Sequence, residues 1–350
     1  MTIQLGKHRI SSQNKPFIIA EMSGNHNQSL DRAKEIIKAA AETGAHAVKL
    51  QTYTADTMTI NQRGGLFDIK DKNSLWYGRN LYELYEEAHT PWEWHEPLFK
   101  YANELGLICF STPFDNTAVD FLESLQVPCY KIASFENTDH PLLKKVAQTG
   151  KPVIMSTGVA NIIDIIESVE VLRENGCSQL ILLKCTSTYP ATPENTNLIS
   201  IPVLQQIFPD CTIGLSDHTM GIGASIASVA LGARVIEKHF TLRRSDGGVD
   251  STFSMEPDEM KALVIESERA FLALGKVQLS VQKIEEKSKA FKRSIYVVKD
   301  VDEGGAFTSE NIRIIRPGDG MSPKYYDEVI GKRSSQKLIA GTPLKRELVL

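Results

Sequence analysis

Two short stretches, "TIGLSDHTMG" (212–221) and "VIEKHFTL" (235–242), begin as apolar β-type runs and end in ionisable groups. The first closes on Ser216, Asp217 and His218, the second on Glu237, Lys238 and His239. A strand whose task is burial alone has little use for such an ending. A single histidine there could be a hydrogen-bonded core residue. Two at matching positions on consecutive runs read as ligands of one divalent cation. Two imidazoles are too few for a closed structural zinc site. They suit an open, exchangeable ion such as Mn²⁺ or Mg²⁺, its shell completed by water and substrate.

The same kind of ending recurs along the chain. Glu21 and Ser23 end one apolar run, and Lys49 and Gln51, two apart and so on one face of a strand, end the next. Further runs end in Ser111 and Thr112, in Lys131, Ser134 and Glu136, in Ser156 and Thr157, and in Lys184 to Tyr189, which includes Ser187. Two lysines and several hydroxyls at one mouth make a site for phosphate or carboxylate. A lysine desolvated alone would lose its proton, so an anionic partner is the natural compensation.

The elements that carry these residues repeat. "FIIAEMS" (17–23), "AVKLQTY" (47–53), "LICFSTPF" (107–114), "CYKIASFE" (129–136), "PVIMSTG" (152–158), "LILLKCTSTY" (180–189), "TIGLSDHT" and "VIEKHFTL" read as eight strands. Between several of them lie segments with apolar residues at helical spacing, each opening on Asp or Asn: "DRAKEIIKAAAETGA", "DNTAVDFLESL", "DHPLLKKVAQTG" and "NIIDIIESVEVLRENG". Eight βα units in series predict a (β/α)8 barrel, in which polar residues at strand C-termini form the active site. "GIGAS" (221–225) lacks the full dinucleotide fingerprint of a doubly wound sheet. Residues 54–89 are too long for a simple crossover. They are either a surface excursion or a cover over the barrel mouth. The barrel is expected over 1–275, a polar linker over 276–293, and a small β-rich domain over 294–350, with strands in "RSIYVVKDV", "IRIIRPGDG" and "GTPLKREL".

Composition narrows the function classes. A net charge of −4 offers no broad basic surface for nucleic acid. No apolar run approaches the ~20 residues of a membrane span, and the first ten residues lack the apolar core of a signal peptide. The five cysteines have no CxxC spacing and read as buried free thiols, which suits the cytoplasm.

Taken in order, "KPFIIAEMSGNHN", "AVKLQTY", "YKIASFE", "MSTGVAN", "KCTSTYP", "GLSDHT", "EKHFT" and "IRPGDG" resemble the sialic acid synthase family over nearly the whole chain. Members condense phosphoenolpyruvate with an N-acetylated amino sugar, and pair a (β/α)8 barrel with a C-terminal antifreeze-like (SAF) domain. "LYELYEEAHTPWEWH" (81–95) and "GGVDSTFSMEP" (247–257) are most similar to the branch that makes pseudaminic acid from a 2,4-diacetamido-2,4,6-trideoxy sugar. The branches that make N-acetylneuraminic and legionaminic acid are close alternatives. The resemblance implies that His218 and His239 hold Mn²⁺, with Mg²⁺ or Co²⁺ as substitutes. It assigns Lys49, Thr112, Lys131, Ser134, Ser156, Ser216 and Ser187 to phosphoenolpyruvate; sialic acid synthases tend to carry Asn at the last position. Glu21, Gln51, Tyr189 and Asp250 would face the sugar, and Glu136 the reacting carbons. Glu21 would orient the sugar or take a proton from water. Arg316 would reach from the SAF domain into the site of a partner chain in a homodimer, or else be an ordinary surface arginine.

Two other readings remain at this point. A related synthase acting on a sugar phosphate would need a further cationic pair, and no arginine cluster stands at the strand ends. A sugar-binding or ice-binding protein built on the SAF-like tail would leave the two histidines and two lysines of the barrel without a purpose.

Overall fold

A computed structural model describes residues 2–350. The chain divides into two compact units, Met1–Gly275 and Lys276–Leu350. In the first, a hairpin of β1 (Ile3–Leu5) and β2 (His8–Ile10) precedes eight parallel strands that close into a barrel: β3 (Phe17–Glu21), β4 (Ala47–Thr52), β5 (Ile108–Pro113), β6 (Tyr130–Ile132), β7 (Val153–Ser156), β8 (Leu180–Cys185), β9 (Thr212–Ser216) and β10 (Val235–His239). The expected barrel is therefore the observed one. The hairpin was not legible as strands.

Around the barrel run α1 (Leu30–Glu42), α2 (Ala55–Met58), α3 (Leu81–Ala88), α4 (Trp92–Glu104), α5 (Asn116–Ser124), α6 (His140–Ala147), α7 (Ile162–Glu174), α8 (Ser200–Ile207), α9 (Gly223–Ala230) and α10 (Pro257–Leu274). Asp115, Asp139 and Asn161 cap α5, α6 and α7, accepting hydrogen bonds from backbone N–H groups of the first turn. At α1 the cap is Ser29 rather than Asp31, which lies inside the first turn. Helix faces such as Ile36, Ile37 and Ala40 of α1 pack on the outward strand residues Ile18, Val48 and Leu50.

Alternation along the strands sends every second residue inward. The lower layers of the interior are apolar: Phe17, Ile19, Ala47, Ile108, Phe110, Ile154, Ile181, Leu183 and Val235 pack with Ile3, Leu5 and Ile10 of the hairpin, which closes the floor. A Cβ at Gly214 would run into the Val235 carbonyl and the Leu183 side chain, so glycine lets these layers meet. One step further along the strands the inward positions become Glu21, Lys49, Lys131, Ser156, Cys185, Ser216 and Glu237. The change from apolar to polar happens within two residues on each strand.

Outside the barrel, the neighbours of the two histidines are tied together. Lys238 Nζ donates to Asp217 Oδ2 (3.0 Å) and to the carbonyls of Thr219 (2.7 Å) and Gly221 (3.0 Å). Asp217 also accepts from Thr219 N (2.9 Å) and Ser225 Oγ (2.6 Å). The pair thereby couples the end of β9 to the end of β10.

In the second unit β11 (Ser294–Val297) pairs antiparallel with β12 (Ile312–Ile315) over a core of Ile295, Val297, Phe307, Ile312 and Leu344. A short helix, α11 (Tyr326–Val329), follows. The strand expected in "GTPLKREL" is only a bridge from Tyr296 to Pro343, because the chain turns into a 3₁₀ turn at Arg346–Leu348. The stretch read as a linker carries a 3₁₀ segment, Lys283–Phe291, and Gly318 N donates to Ala290 O (3.0 Å).

The Asp217–Lys238 pair yields a stability test. Lys238→Met should lower stability by about 3–5 kcal/mol, because Asp217 is left as an uncompensated buried charge. The double variant Asp217→Asn with Lys238→Met should melt higher than Lys238→Met alone. Thermal melts of the three proteins check this; a double variant no more stable than the single one would mean that the pair is not coupled.

Candidate active site

The strand ends converge on one cavity of about 380 Å³ at the C-terminal mouth of the barrel. Its floor is a chain of charges. Glu21 stands beside Lys49 across β3 and β4, and beside His239 across β3 and β10. Lys49 Nζ lies 2.8 Å from Glu21 Oε1 and 3.3 Å from Glu237 Oε1, which is also 3.6 Å from Lys131 Nζ. All four side chains are almost wholly buried. Gln51 Nε2 donates to Glu21 Oε1 (2.9 Å), and Lys131 Nζ donates to Ser156 Oγ (2.7 Å).

Electrostatics follow from this packing. Burial works to raise the Glu21 pKa, but His239 and Lys49 outweigh it and hold the carboxyl ionised, well below its usual range. Burial likewise works against the Lys49 ammonium, and Glu21 with Glu237 more than restores it. Lys131, with only Glu237 close and Lys49 nearby, is pushed down by burial. Burial lifts Glu136 to about 7, with Lys131 opposing.

The histidines sit side by side, with ring centroids 5.4 Å apart. His218 Nδ1 donates to the Thr186 carbonyl (3.1 Å), which in the neutral imidazole leaves the lone pair on Nε2. His239 Nε2 is 3.3 Å from Glu21 Oε2, and its Nδ1 is 3.7 Å from Asp250 Oδ2 without a hydrogen bond. Ser23 Oγ donates to the same Asp250 oxygen. Tyr189 and Phe253 pack on both rings. Among the described residues, no three His, Cys, Asp or Glu side chains form a metal cage by themselves. The donor set fits an ion held by two imidazoles with the remaining positions left to ligands and water.

Four buried side-chain atoms among the described residues have no hydrogen-bond partner: Asn25 Oδ1, Glu136 Oε2, Glu237 Oε2 and His239 Nδ1. Glu136, Glu237 and His239 line this cavity. Buried polar groups are normally satisfied, so their concentration here marks a place suited to a polar ligand. Gly158 adds room: a Cβ there would collide with the hydroxyls of Ser134 and Ser187.

Of the residues singled out from sequence, Glu21, Lys49, Gln51, Lys131, Ser134, Glu136, Ser156, Ser187, Tyr189, Ser216, His218, His239 and Asp250 all line the cavity. Thr112 is buried behind it and accepts from Lys49 Nζ (3.4 Å). Arg316 lies in the second unit, exposed just beyond β12. Glu237 was missed as a site residue, although its parity with His239 placed both on one face of β10. Trp76, Ile69 and Tyr85 of the 54–89 insert also line the cavity, so the insert contributes to the mouth.

A model of the NeuB family matches residues 36–279, and one of the SAF domain matches residues 292–350. The chain belongs to the NeuB family. It is 44% identical to a pseudaminic acid synthase of Campylobacter jejuni subsp. jejuni over 98% of this chain and 99% of that one. It is also 44% identical to a pseudaminic acid synthase of Helicobacter pylori, over 95% and 97%. Among solved structures, the N-acetylneuraminic acid (sialic acid) synthetase of Leptospira borgpetersenii, crystallised with citrate, superposes with a TM-score of 0.73 at 32% identity, covering 82% of this chain and 95% of that one. In this NeuB-family chain the eight-stranded barrel and the C-terminal SAF domain are the two units of the architecture.

Glu136 supplies a pH test. A carboxyl whose folded pKa is raised holds its proton more tightly when folded. Its burial therefore costs nothing at pH values below its unfolded pKa, and the cost grows as pH rises towards about 7. Glu136→Gln removes a penalty of order 3 kcal/mol above that point. It should raise the melting temperature at pH 8 and change little at pH 4.5, while lowering turnover. An equal shift at both pH values would contradict the assignment.

Proposed function

We propose that this chain is a pseudaminic acid synthase. It joins phosphoenolpyruvate to 2,4-diacetamido-2,4,6-trideoxy-L-altrose and water, giving pseudaminic acid and phosphate by C–O cleavage. The observation that carries this reading is the 44% identity, over nearly the full length of both chains, to relatives of that name. The cavity supports it with two buried lysines, a cluster of hydroxyls and a pair of free imidazole nitrogens in one small space.

Phosphoenolpyruvate brings a phosphate and a carboxylate. Lys131 with Ser134, Ser156 and Ser187 suits the one, and Lys49 with Thr112 and Ser216 suits the other. His218 and His239 would hold a divalent cation, Mn²⁺ by preference, which when bound supplies a Lewis acid for the open-chain sugar aldehyde. Asp250, Gln51 and Tyr189 orient that sugar so that its aldehyde carbon faces C3 of phosphoenolpyruvate. The new C–C bond leaves positive charge at C2, which Glu21 and Glu237 stabilise from the floor. Glu21, held ionised, takes a proton from the water that adds to C2. Glu136, partly protonated near neutral pH, can give one to the new alkoxide. The hydroxyl on the tetrahedral carbon then gives its proton to the departing phosphate, so that C2 becomes a ketone and hydrogen phosphate leaves beside Lys131. Arg316 belongs to the partner's site in a homodimer, contacting the sugar's N-acetyl group. Five free cysteines suit a cytoplasmic enzyme.

Phosphate release from phosphoenolpyruvate tests the whole reading. Phosphate should appear only with sugar present, fastest with the L-altro 2,4-diacetamido-trideoxy hexose, and more slowly with its manno counterpart or N-acetylmannosamine. In ¹⁸O-water the phosphate should stay unlabelled, since the C–O bond breaks. Chelation should abolish turnover and Mn²⁺ restore it, with His218→Ala and His239→Ala folded but unable to bind the ion. Faster turnover of N-acetylmannosamine would overturn the choice of sugar, and full activity of a metal-free sample would overturn the metal.

Subunit mixing tests Arg316. Arg316→Ala and His239→Ala chains, each inactive alone, should regain about a quarter of wild-type activity after random exchange, because half of the dimers then hold one intact site in two. No recovery despite confirmed exchange would place the arginine in its own chain's site or outside catalysis.

A further inference from the structure

The cavity has two unlike walls. The floor is charged, as described. The wall contributed by the insert is apolar: Met58, Ile69, Trp76, Leu81, Leu84 and Tyr85 all face the cavity. The insert is a folded flap with its own internal bonds. Asn80 Nδ2 donates to Gln62 O (2.9 Å), Phe67 O (3.2 Å) and Asp68 Oδ1 (3.0 Å), and Gly78 N donates to Ile69 O (2.8 Å). Arg63 with Glu83 and Arg79 with Glu87 pair on its outer side.

One side chain carries the flap across the mouth. Trp76 Nε1 donates to the carbonyl of Val249 (3.0 Å), on the loop after β10. The next residue is Asp250, which accepts from Ser23 and stands beside His239. The Trp76 ring also lies 5.8 Å from that of Tyr189, which packs on His218 at 4.7 Å. A flap that begins after β4 is thus fastened to the loop after β10, two strands away round the barrel, and packs on Tyr189 beyond β8 on the far side, next to sugar-facing and metal-facing groups.

We propose that this insert selects the sugar, with Trp76 as a positioning and specificity-determining residue that holds the apolar wall against methyl groups of the substrate. The inference rests on the proposed reaction and adds the part of the site that reads the sugar's far end. A 2,4-diacetamido-2,4,6-trideoxy hexose presents three methyl groups, two acetyl and one at C6. N-acetylmannosamine presents one acetyl methyl and hydroxyls at C4 and C6. The side chains of this wall are mainly hydrocarbon, so a hydroxyl turned towards them loses water and gains little. An apolar pocket of this kind discriminates by about 10- to 200-fold per group. Trp76 bonds to Val249 and packs on Tyr189, with no hydrogen bond to Lys131 or its hydroxyl neighbours, so its loss should leave phosphoenolpyruvate binding largely unchanged.

The test uses the full chain with Trp76→Ala and Trp76→Phe, both checked for folding by thermal melts. In Trp76→Ala, kcat/KM for the diacetamido-trideoxy sugar should fall about 10- to 100-fold. The KM for phosphoenolpyruvate should stay within about twofold, and the preference over N-acetylmannosamine should shrink. Trp76→Phe keeps a ring and loses the hydrogen bond to Val249, so it should fall between. The sequence has three tryptophans, Trp76, Trp92 and Trp94; sugar-induced change in their emission should vanish in Trp76→Phe. Equal losses for both sugars, or a matching rise in the KM for phosphoenolpyruvate, would overturn the proposal. The emission change is read with whichever sugar the wild type turns over, so a wrong choice of sugar and a wrong role for Trp76 give different results.

Discussion

Everything at the mouth of this barrel depends on burying Lys49, Glu21, Glu237 and Lys131 together. Taken singly, none of the four could be ionised there, because the desolvation cost of a buried charge is several kcal/mol. Taken together, two cations and two anions alternate, with Glu237 Oε1 reaching both lysines. Neutrality is reached only if four strands bring these groups together. Barrel closure supplies the meeting point: Glu21 pairs with Lys49 and with His239, while Glu237, two residues earlier on β10, pairs with Ile19 and Ser216 and reaches both lysines. Closure of the barrel is thus a condition for the charges, and the apolar layers sealed by the N-terminal hairpin are a condition for closure.

The cluster is balanced but not saturated. Glu237 Oε2 has no partner, and Lys131 is the lysine that burial weakens. An arriving dianion would meet Lys131 as its least compensated cation and find Ser134, Ser156 and Ser187 beside it, with Gly158 leaving the space open. Preorganised dipoles of this kind bind charge without having to turn towards it. The stability lost in the unpartnered atoms is the familiar trade between a resting fold and a site shaped for something else.

Legibility varied with periodicity. The eight strands and their inward faces followed from alternation, and Lys49 with Gln51, or Glu237 with His239, could be placed on common faces without coordinates. Glu237 was nonetheless passed over, because an ion pair with two lysines on other strands has no trace in local spacing. The hairpin at Ile3–Leu5 and His8–Ile10 escaped notice because strands of three residues are too short to show alternation. Ser29 displaced Asp31 as a helix cap since both are good caps and only the backbone angle decides. Thr112 accepts from Lys49 Nζ, a contact between neighbouring strands that local spacing does not show. The insert was the least legible part. Trp76 finds Val249 across 173 residues of sequence, and no pattern within 54–89 encodes that bond.

The contrast between floor and insert separates the two tasks of the proposed reaction. The floor is locked by charge: changing one of its four ions strands the others, so its chemistry resists alteration. The insert is joined to the barrel by chain ends and by side-chain contacts such as that of Trp76, and its internal bonds are its own. Its apolar lining can change in shape without disturbing the charge balance beneath it. Selection of substrate and execution of the reaction are therefore carried by elements that differ in how tightly the fold constrains them, the first by contact area and the second by electrostatic neutrality in a buried space.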